Sequence, residues 1–217
     1  MEEILIQNGS VVLRSVNEIK KIRTEDLYGS MAAYIGARTP ILPERVISYA
    51  SKESKRIYVT HEVPEKHIVN VIKGGAHEQY EIKTPHVYFF HRFVNAAFDD
   101  LFAYSSNAEL KSTNEVLCRL PLKNLYQDGK VCLGNDIKFN LTGSVSGKIA
   151  RIENHFWNSN FNGDLESIYM GSGPSEWNDE PLVSWQKLSE EESFDPCSVN
   201  WQKYKPFSEI IDNLLER

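Results

Sequence analysis

Cysteine is scarce in this chain and is not arranged for pairing. Cys118, Cys132 and Cys197 are the only three among 217 residues, and no two have the two-residue spacing of a zinc knuckle or a redox dithiol. Three thiols cannot all pair, so a disulfide framework is excluded and a reducing compartment is expected. Basic runs are equally short. None exceeds Lys20-Lys21 and the net charge is −6, so the footprint that a phosphate backbone requires is missing and no direct nucleic-acid ligand is expected. No apolar run approaches the ~18 residues of a membrane span. The opening Met1-Glu2-Glu3 is acidic where a signal peptide is positive. These absences predict a cytoplasmic protein with no membrane partner.

Several catalytic signatures are also missing. No Gly-x-Ser-x-Gly elbow occurs, and no histidine lies near Cys132 in sequence. Gly143-Ser144-Val145-Ser146-Gly147-Lys148 falls one residue short of a phosphate loop, and Ile149 stands where that loop needs a hydroxyl, so it reads as a helix start. His86 and His91 are five apart on a strand and point to opposite faces, which rules out chelation of one metal by the pair. Neither a metal nor a cofactor is expected.

What is present is enough apolar sequence, 41% of residues, to build the core of one domain. Ile4 to Leu13 is two apolar runs around Asn8-Gly9, a hairpin signal. Thr24 caps a predicted helix with Leu27, Met31, Tyr34 and Ile35 on its apolar side and Gly36 at its exit, and Pro40 and Pro43 impose an extended linker. From Arg56 the pattern is strands. Arg56 to Val63 alternates, with Ile57, Val59, His61 and Val63 on one face; Ile68 to Lys73 and Glu78 to Lys83 are joined by Gly74-Gly75; and Val87 to Phe90, Leu101 to Tyr104 and Val116 to Leu120 follow, the last holding Cys118 in a buried strand. Short connections predict an antiparallel meander. Ile149, Ile152 and Phe156 mark a helix capped by Ser146, and Ser208 to Leu215 a closing helix with Ile210, Ile211, Leu214 and Leu215 on its apolar side. Gly163 to Glu192, rich in Gly, Ser, Asn, Pro and acids, reads as a loop pinned by Trp177 and Trp185. The predicted class is α+β. One domain spans 1–217, with residues 1–50 as a hairpin-and-helix extension and 51–217 as the core.

The strongest lead is Asn124 to Gly134, Asn-Leu-Tyr-Gln-Asp-Gly-Lys-Val-Cys-Leu-Gly. Its Asp128-Gly129 pair lets the chain reverse, so Asn124 folds back toward Cys132. An asparagine amide offers an acceptor and two donors without charge, suited to steadying an oxyanion or pinning a loop around a thioester. The alternative is a small buried hydrophobe after a common turn. Lys130, and Lys123 behind it, would favour the thiolate, and Gly129 and Gly134 give backbone freedom on each side. Asp136 reads as a solvated loop acid or as a group that orients an acceptor.

This segment resembles the active-site segment of ubiquitin-conjugating enzymes, in which His-Pro-Asn precedes an Asp-Gly turn and the catalytic cysteine. Leu122 and Lys123 stand where the His-Pro pair would be. That departure resembles a bacterial branch, prokaryotic conjugating-enzyme (E2) family D, which includes protein B of the PRTRC genetic system. Gly36-Ala37-Arg38 followed by Leu42-Pro43-Glu44-Arg45-Val46, Thr84 to Phe90, and His155-Phe156-Trp157 to Phe161 extend the resemblance over most of the chain. The resemblance implies a ubiquitin-conjugating-enzyme-like fold, a four-stranded antiparallel meander packed on helices with the nucleophile in a loop after the last strand. It implies that a ThiF-type activating enzyme passes a ubiquitin-like protein to Cys132 as a thioester, with Asn124 assisting and with a possible JAB-type protease in the same system. The alternatives of another class are a non-catalytic module that binds a ubiquitin-like partner, and an accessory factor of plasmid or phage maintenance acting through proteins.

Overall fold

The computed structural model describes residues 3–7, 10–14, 19–23, 42, 45–120, 122–134, 141–162, 177 and 181–217. The chain divides into two units, Met1–Leu42 and Pro43–Arg217. In the first, β1 (Glu3–Gln7), β2 (Ser10–Arg14) and β3 (Ile19–Arg23) form an antiparallel sheet in that order. Gln7 pairs with Ser10, the register that a hairpin at Asn8-Gly9 requires. The strand β3 was not foreseen, because Ile19 and Ile22 are three apart and do not alternate. The helix expected after Thr24 and the linker at Pro40 and Pro43 lie outside the described residues.

The second unit is α+β. Strands β4 (Val46–Lys52), β5 (Lys55–Glu62), β8 (His86–Val94), β9 (Ala97–Ser106), β10 (Val116–Arg119) and β12 (Lys203–Pro206) form an antiparallel sheet in the order β12-β10-β9-β8-β5-β4. The hairpin of β6 (Lys66–Lys73) and β7 (Ala76–Lys83) leaves that sheet and pairs instead with β11 (Asn160–Phe161), which runs parallel to β6. The chain departs at Val63-Pro64, where proline has no N–H to donate to a ladder. The expected four-stranded meander is therefore six strands with one hairpin folded out, and Val63 is 60% exposed, not on the inner face of β5.

Both faces of the large sheet are covered, which explains why Val87-Tyr88-Phe89-Phe90 is apolar without alternation. On one side Ile57, Val59, Tyr88, Phe90 and Phe102 pack with Phe207, Ile210, Ile211 and Leu214 of the closing helix α3 (Phe207–Glu216). The first N–H groups of α3 are satisfied by the carbonyls of Glu115 and Thr113, at 2.9 and 2.8 Å. On the other side Phe89, Phe93 and Leu101 pack with Ile149, Ile152 and Phe156 of α1 (Val145–Asn158) and with Val69, Val71 and Ile82 of the folded-out hairpin. Ser144, not Ser146, caps α1, its hydroxyl accepting from Gly147 N at 3.2 Å.

Within the stretch read as a loop, Pro181–Glu190 is a helix, α2. Leu182, Trp185 and Ser189 recur at helical spacing, but proline, serine and acids around them hide the period. The side chains of α2 complete the open edge of β7: Glu81 N donates to Gln186 Oε1 at 3.1 Å and Lys83 N to Ser189 Oγ at 2.9 Å. The tryptophans do pin the region. Trp185 lies 5.5 Å from Trp177 and 5.2 Å from Trp201, ring centre to ring centre, and its Nε1 donates to Lys83 O. Among the described residues no helix is long and apolar enough to cross a membrane.

The central place of Trp185 gives a direct check on this packing. Trp185→Ala should cost about 3–5 kcal/mol in denaturant unfolding, the range for deleting a large buried aromatic, whereas Val63→Ala should stay within about 0.5 kcal/mol.

Candidate active site

The Cys132 segment is an extension of the large sheet. The strand β10 pairs with β9 only at Ser105 and Tyr104, which leaves Leu101 to Ala103 open on that side. The Asn124–Cys132 hairpin fills the gap: Ala103 N donates to Gly129 O at 2.9 Å and Val131 N to Leu101 O at 2.8 Å. Within the hairpin, Gly129 N donates to Tyr126 O, Tyr126 N to Lys130 O and Cys132 N to Asn124 O, the last at 2.7 Å. This is a three-residue hairpin turn closed by a left-handed glycine, with Gly129 at φ 81°. A Cβ at Gly129 would lie 2.4 Å from the ring of Tyr104, so the position is closed to side chains twice over.

Polar contacts fix the tip. Tyr104 OH donates to Asp128 O at 2.6 Å, and burial of this phenol raises its pKa. Asp128 Oδ1 accepts from Lys130 N at 3.1 Å and Oδ2 from the guanidinium of Arg217. Burial alone would raise the Asp128 carboxyl, but Arg217 and the backbone N–H outweigh it and hold the group below the ordinary range.

Asn124 is buried and left-handed, at φ 64°, a conformation asparagine tolerates better than most residues. Its Nδ2 donates to Asn160 O and its Oδ1 accepts from Asn162 N, both at 3.1 Å. One side chain thus ties the hairpin to the strand that follows α1, while its own carbonyl holds the N–H of Cys132. Cys132 is exposed, on the rim of a shallow cleft of about 170 Å³ lined by Phe98, Asp100, Leu101, Tyr126, Leu133 and Gly134 among others. Gly134, at φ 72°, turns the chain away. The ammonium of Lys130 rests 2.9 Å from Asp100 Oδ1, so its charge is shared with a carboxylate and is not presented to the sulfur alone.

Leu122, in the place of the conjugating-enzyme histidine, is buried in the core. A histidine does approach from elsewhere: His155 Nε2 lies 3.1 Å from Leu133 O, the residue next to Cys132. Sequence separation concealed it, although its place on α1, three residues after the buried Ile152, was legible. Asp100 was hidden in the same way. Asp136 lies outside the described residues. Of the other thiols, Cys118 is buried and burial pushes its pKa up; Cys197 is half-buried and pushed up likewise.

The hairpin yields two checks. Gly129→Ala should destabilise by roughly 1–3 kcal/mol, the scale of a non-glycine residue forced into a strained region, measured by chemical unfolding. Asp128→Asn removes stability that is present above the unfolded aspartate pKa of about 3.9 and fades as pH falls through the lower folded value. Wild-type and Asp128→Asn unfolding curves should therefore differ at neutral pH and converge in acid; an unchanged gap at low pH would contradict the Arg217 contact.

Comparison with known proteins reaches the level of family. No curated protein and no solved structure matches the chain. The pattern of prokaryotic E2 family D matches residues 27–197, most of the 217 and including the whole Cys132 hairpin. The chain belongs to prokaryotic E2 family D.

Proposed function

We propose that this protein is an E2-like transferase that carries a ubiquitin-like protein as a thioester on Cys132. The observation that supports this most is the exposed Cys132 on the cleft rim, set at the end of a hairpin that Asn124 and Tyr104 lock. An α+β unit with helices on both faces of an antiparallel sheet, and a cysteine just after the main strands, is also what a conjugating-enzyme fold would present.

The chemistry is acyl transfer in two steps. The Cys132 thiolate attacks the carbonyl of a ubiquitin-like C-terminus held as a thioester on a ThiF-type activating enzyme; a new C–S bond forms, the old one breaks, and the departing thiolate takes up a proton. An acceptor amine, or water, then attacks the Cys132 thioester: a C–N or C–O bond forms, the C–S bond breaks, and the proton given up by the attacking group is matched by protonation of the released thiolate. The cleft beside Cys132, with Phe98, Leu101, Tyr126 and Leu133 as its apolar wall, suits an extended and glycine-rich tail. In this reading Asn124 is a positioning residue, because both ends of its amide are committed to Asn160 and Asn162. A JAB-type protease would reverse the modification.

A second reading is favoured by one contact. Asp100 engages Lys130, the nearest cation to the nucleophile in sequence. A non-catalytic module that docks a ubiquitin-like partner on the same cleft would need no thiolate. Intact-mass analysis separates the two, since a docking module binds equally well as Cys132→Ala and forms no covalent species.

Incubation with ATP, a ThiF-type enzyme and a ubiquitin-like protein should give a reductant-sensitive adduct that Cys132→Ala abolishes; no adduct with wild type rejects the transferase reading. Asn124→Ala should lower stability by about 1–3 kcal/mol through the buried groups it leaves unsatisfied and slow adduct formation together with it. A pure oxyanion donor would instead lose about 10²-fold in rate with stability unchanged.

A further inference from the structure

The corner at which the folded-out hairpin leaves the large sheet holds a second cluster, distant in sequence from Cys132. Glu62 ends β5, Glu65 lies in the connection and His67 is the second residue of β6. One donor atom from each lies within 4.8 Å of the others. His67 Nε2 is 3.5 Å from Glu65 Oε1 and 3.8 Å from Glu62 Oε2, yet it is closed to solvent and makes no hydrogen bond. A buried ring nitrogen facing two carboxylate oxygens without bonding to either is costly unless something sits between them. Bonds of ~2.0–2.1 Å to a tetrahedral ion place neighbouring donors roughly 3.3 Å apart, so the two spacings from His67 need to close by only a few tenths of an ångström, while the two carboxylate oxygens lie within 4.8 Å of each other.

The surroundings hold these donors in place. Trp157 Nε1 donates to Glu62 Oε2 at 3.0 Å and Arg45 Nη2 to Glu62 Oε1 at 3.1 Å. The ring of Trp157 stacks on His67 at 3.6 Å, with only 9° between planes. Pro64 restricts the connection, and Thr84 holds the Glu65 carbonyl through both its N–H, at 2.8 Å, and its hydroxyl, at 3.2 Å.

Charge points the same way. Arg45 is shared between Glu62 and Glu153, and the Glu65 carboxylate adds to the negative charge that this one guanidinium faces. Glu153 is further bonded by His91 and Thr60, and Lys66, the nearest other cation in sequence, is drawn away to Glu81.

We propose that Glu62, Glu65 and His67 form a binding site for a divalent transition-metal ion of the zinc class, with its fourth position open to solvent. One imidazole and two carboxylates suit zinc or cobalt over magnesium or calcium, which take oxygen ligands. Glu65, half exposed, gives the entry side. The ion ties the end of β5 to the start of β6, and so fixes the angle at which the hairpin departs from the large sheet.

The test uses the full chain with Cys132→Ala and Cys197→Ala, which removes the two accessible thiols, after chelator treatment. Titration with Zn²⁺ or Co²⁺ by calorimetry should show one equivalent bound. Co²⁺ should quench tryptophan fluorescence, a response that Trp157→Phe removes, and Mg²⁺ should produce neither effect. Glu65→Gln and His67→Phe should each weaken binding by at least about 10-fold, the lower end of what even outer-sphere partners of ligands contribute. Glu65→Gln alters a half-exposed side chain and decides the matter if His67→Phe does not fold. Absence of stoichiometric binding, or variants that bind as tightly as the parent, overturns the proposal.

Discussion

The pairing of the Cys132 hairpin with the open stretch of β9 is the constraint on which the candidate site depends. Two backbone hydrogen bonds, Ala103 N to Gly129 O and Val131 N to Leu101 O, turn what would be a surface loop into an added piece of sheet. That pairing brings the turn against Tyr104, where only glycine fits. A cysteine placed this way stands at a defined position on a rigid support while remaining exposed, which a reactive thiol needs and a structural one does not. Asn124 adds the connection to the strand after α1, so the hairpin cannot lift without breaking contacts on both sides.

The second constraint is the polar corner beside the aromatic face of α1, where the half-exposed Arg45 meets the buried Glu62 and Glu153. Buried carboxylates are costly unless paired, and here one guanidinium serves two of them. Thr60, His91 and Trp157 supply the remaining hydrogen bonds. The corner sits where the folded-out hairpin begins, so the same residues that solve a charge problem also set the departure of β6 from the large sheet.

The sequence disclosed the elements with strong periodicity and little of what depends on distant partners. The pairing of β1 with β2, the hairpin at Gly74-Gly75, the strands through Phe90, Tyr104 and Cys118, and the closing helix all follow from local pattern and turn chemistry. The helix α2 was concealed because its support is tertiary, with Gln186 and Ser189 completing the edge of β7. The six-stranded order was concealed because nothing local says that β5 skips β6 and β7 to pair with β8. In the site, the fold-back of Asn124 onto Cys132 was legible from Asp128-Gly129. The approach of His155 and the Asp100 partner of Lys130 depend on contacts between separate elements, and no spacing rule announces them; Glu62, Glu65 and His67 lie within six residues, but the turn of the chain that brings them together is not written in their spacing.

The proposed reading makes Cys132 the point of attachment, and the measurement that tests it most directly is peptide-level mass spectrometry. After reaction with ATP, a ThiF-type activating enzyme and a ubiquitin-like protein, the C-terminal residues of the ubiquitin-like protein should be found on Cys132 alone and be released by thiol reductant. Attachment to Cys118, Cys197 or a lysine with Cys132 unmodified, or no attachment at any residue, would contradict the account.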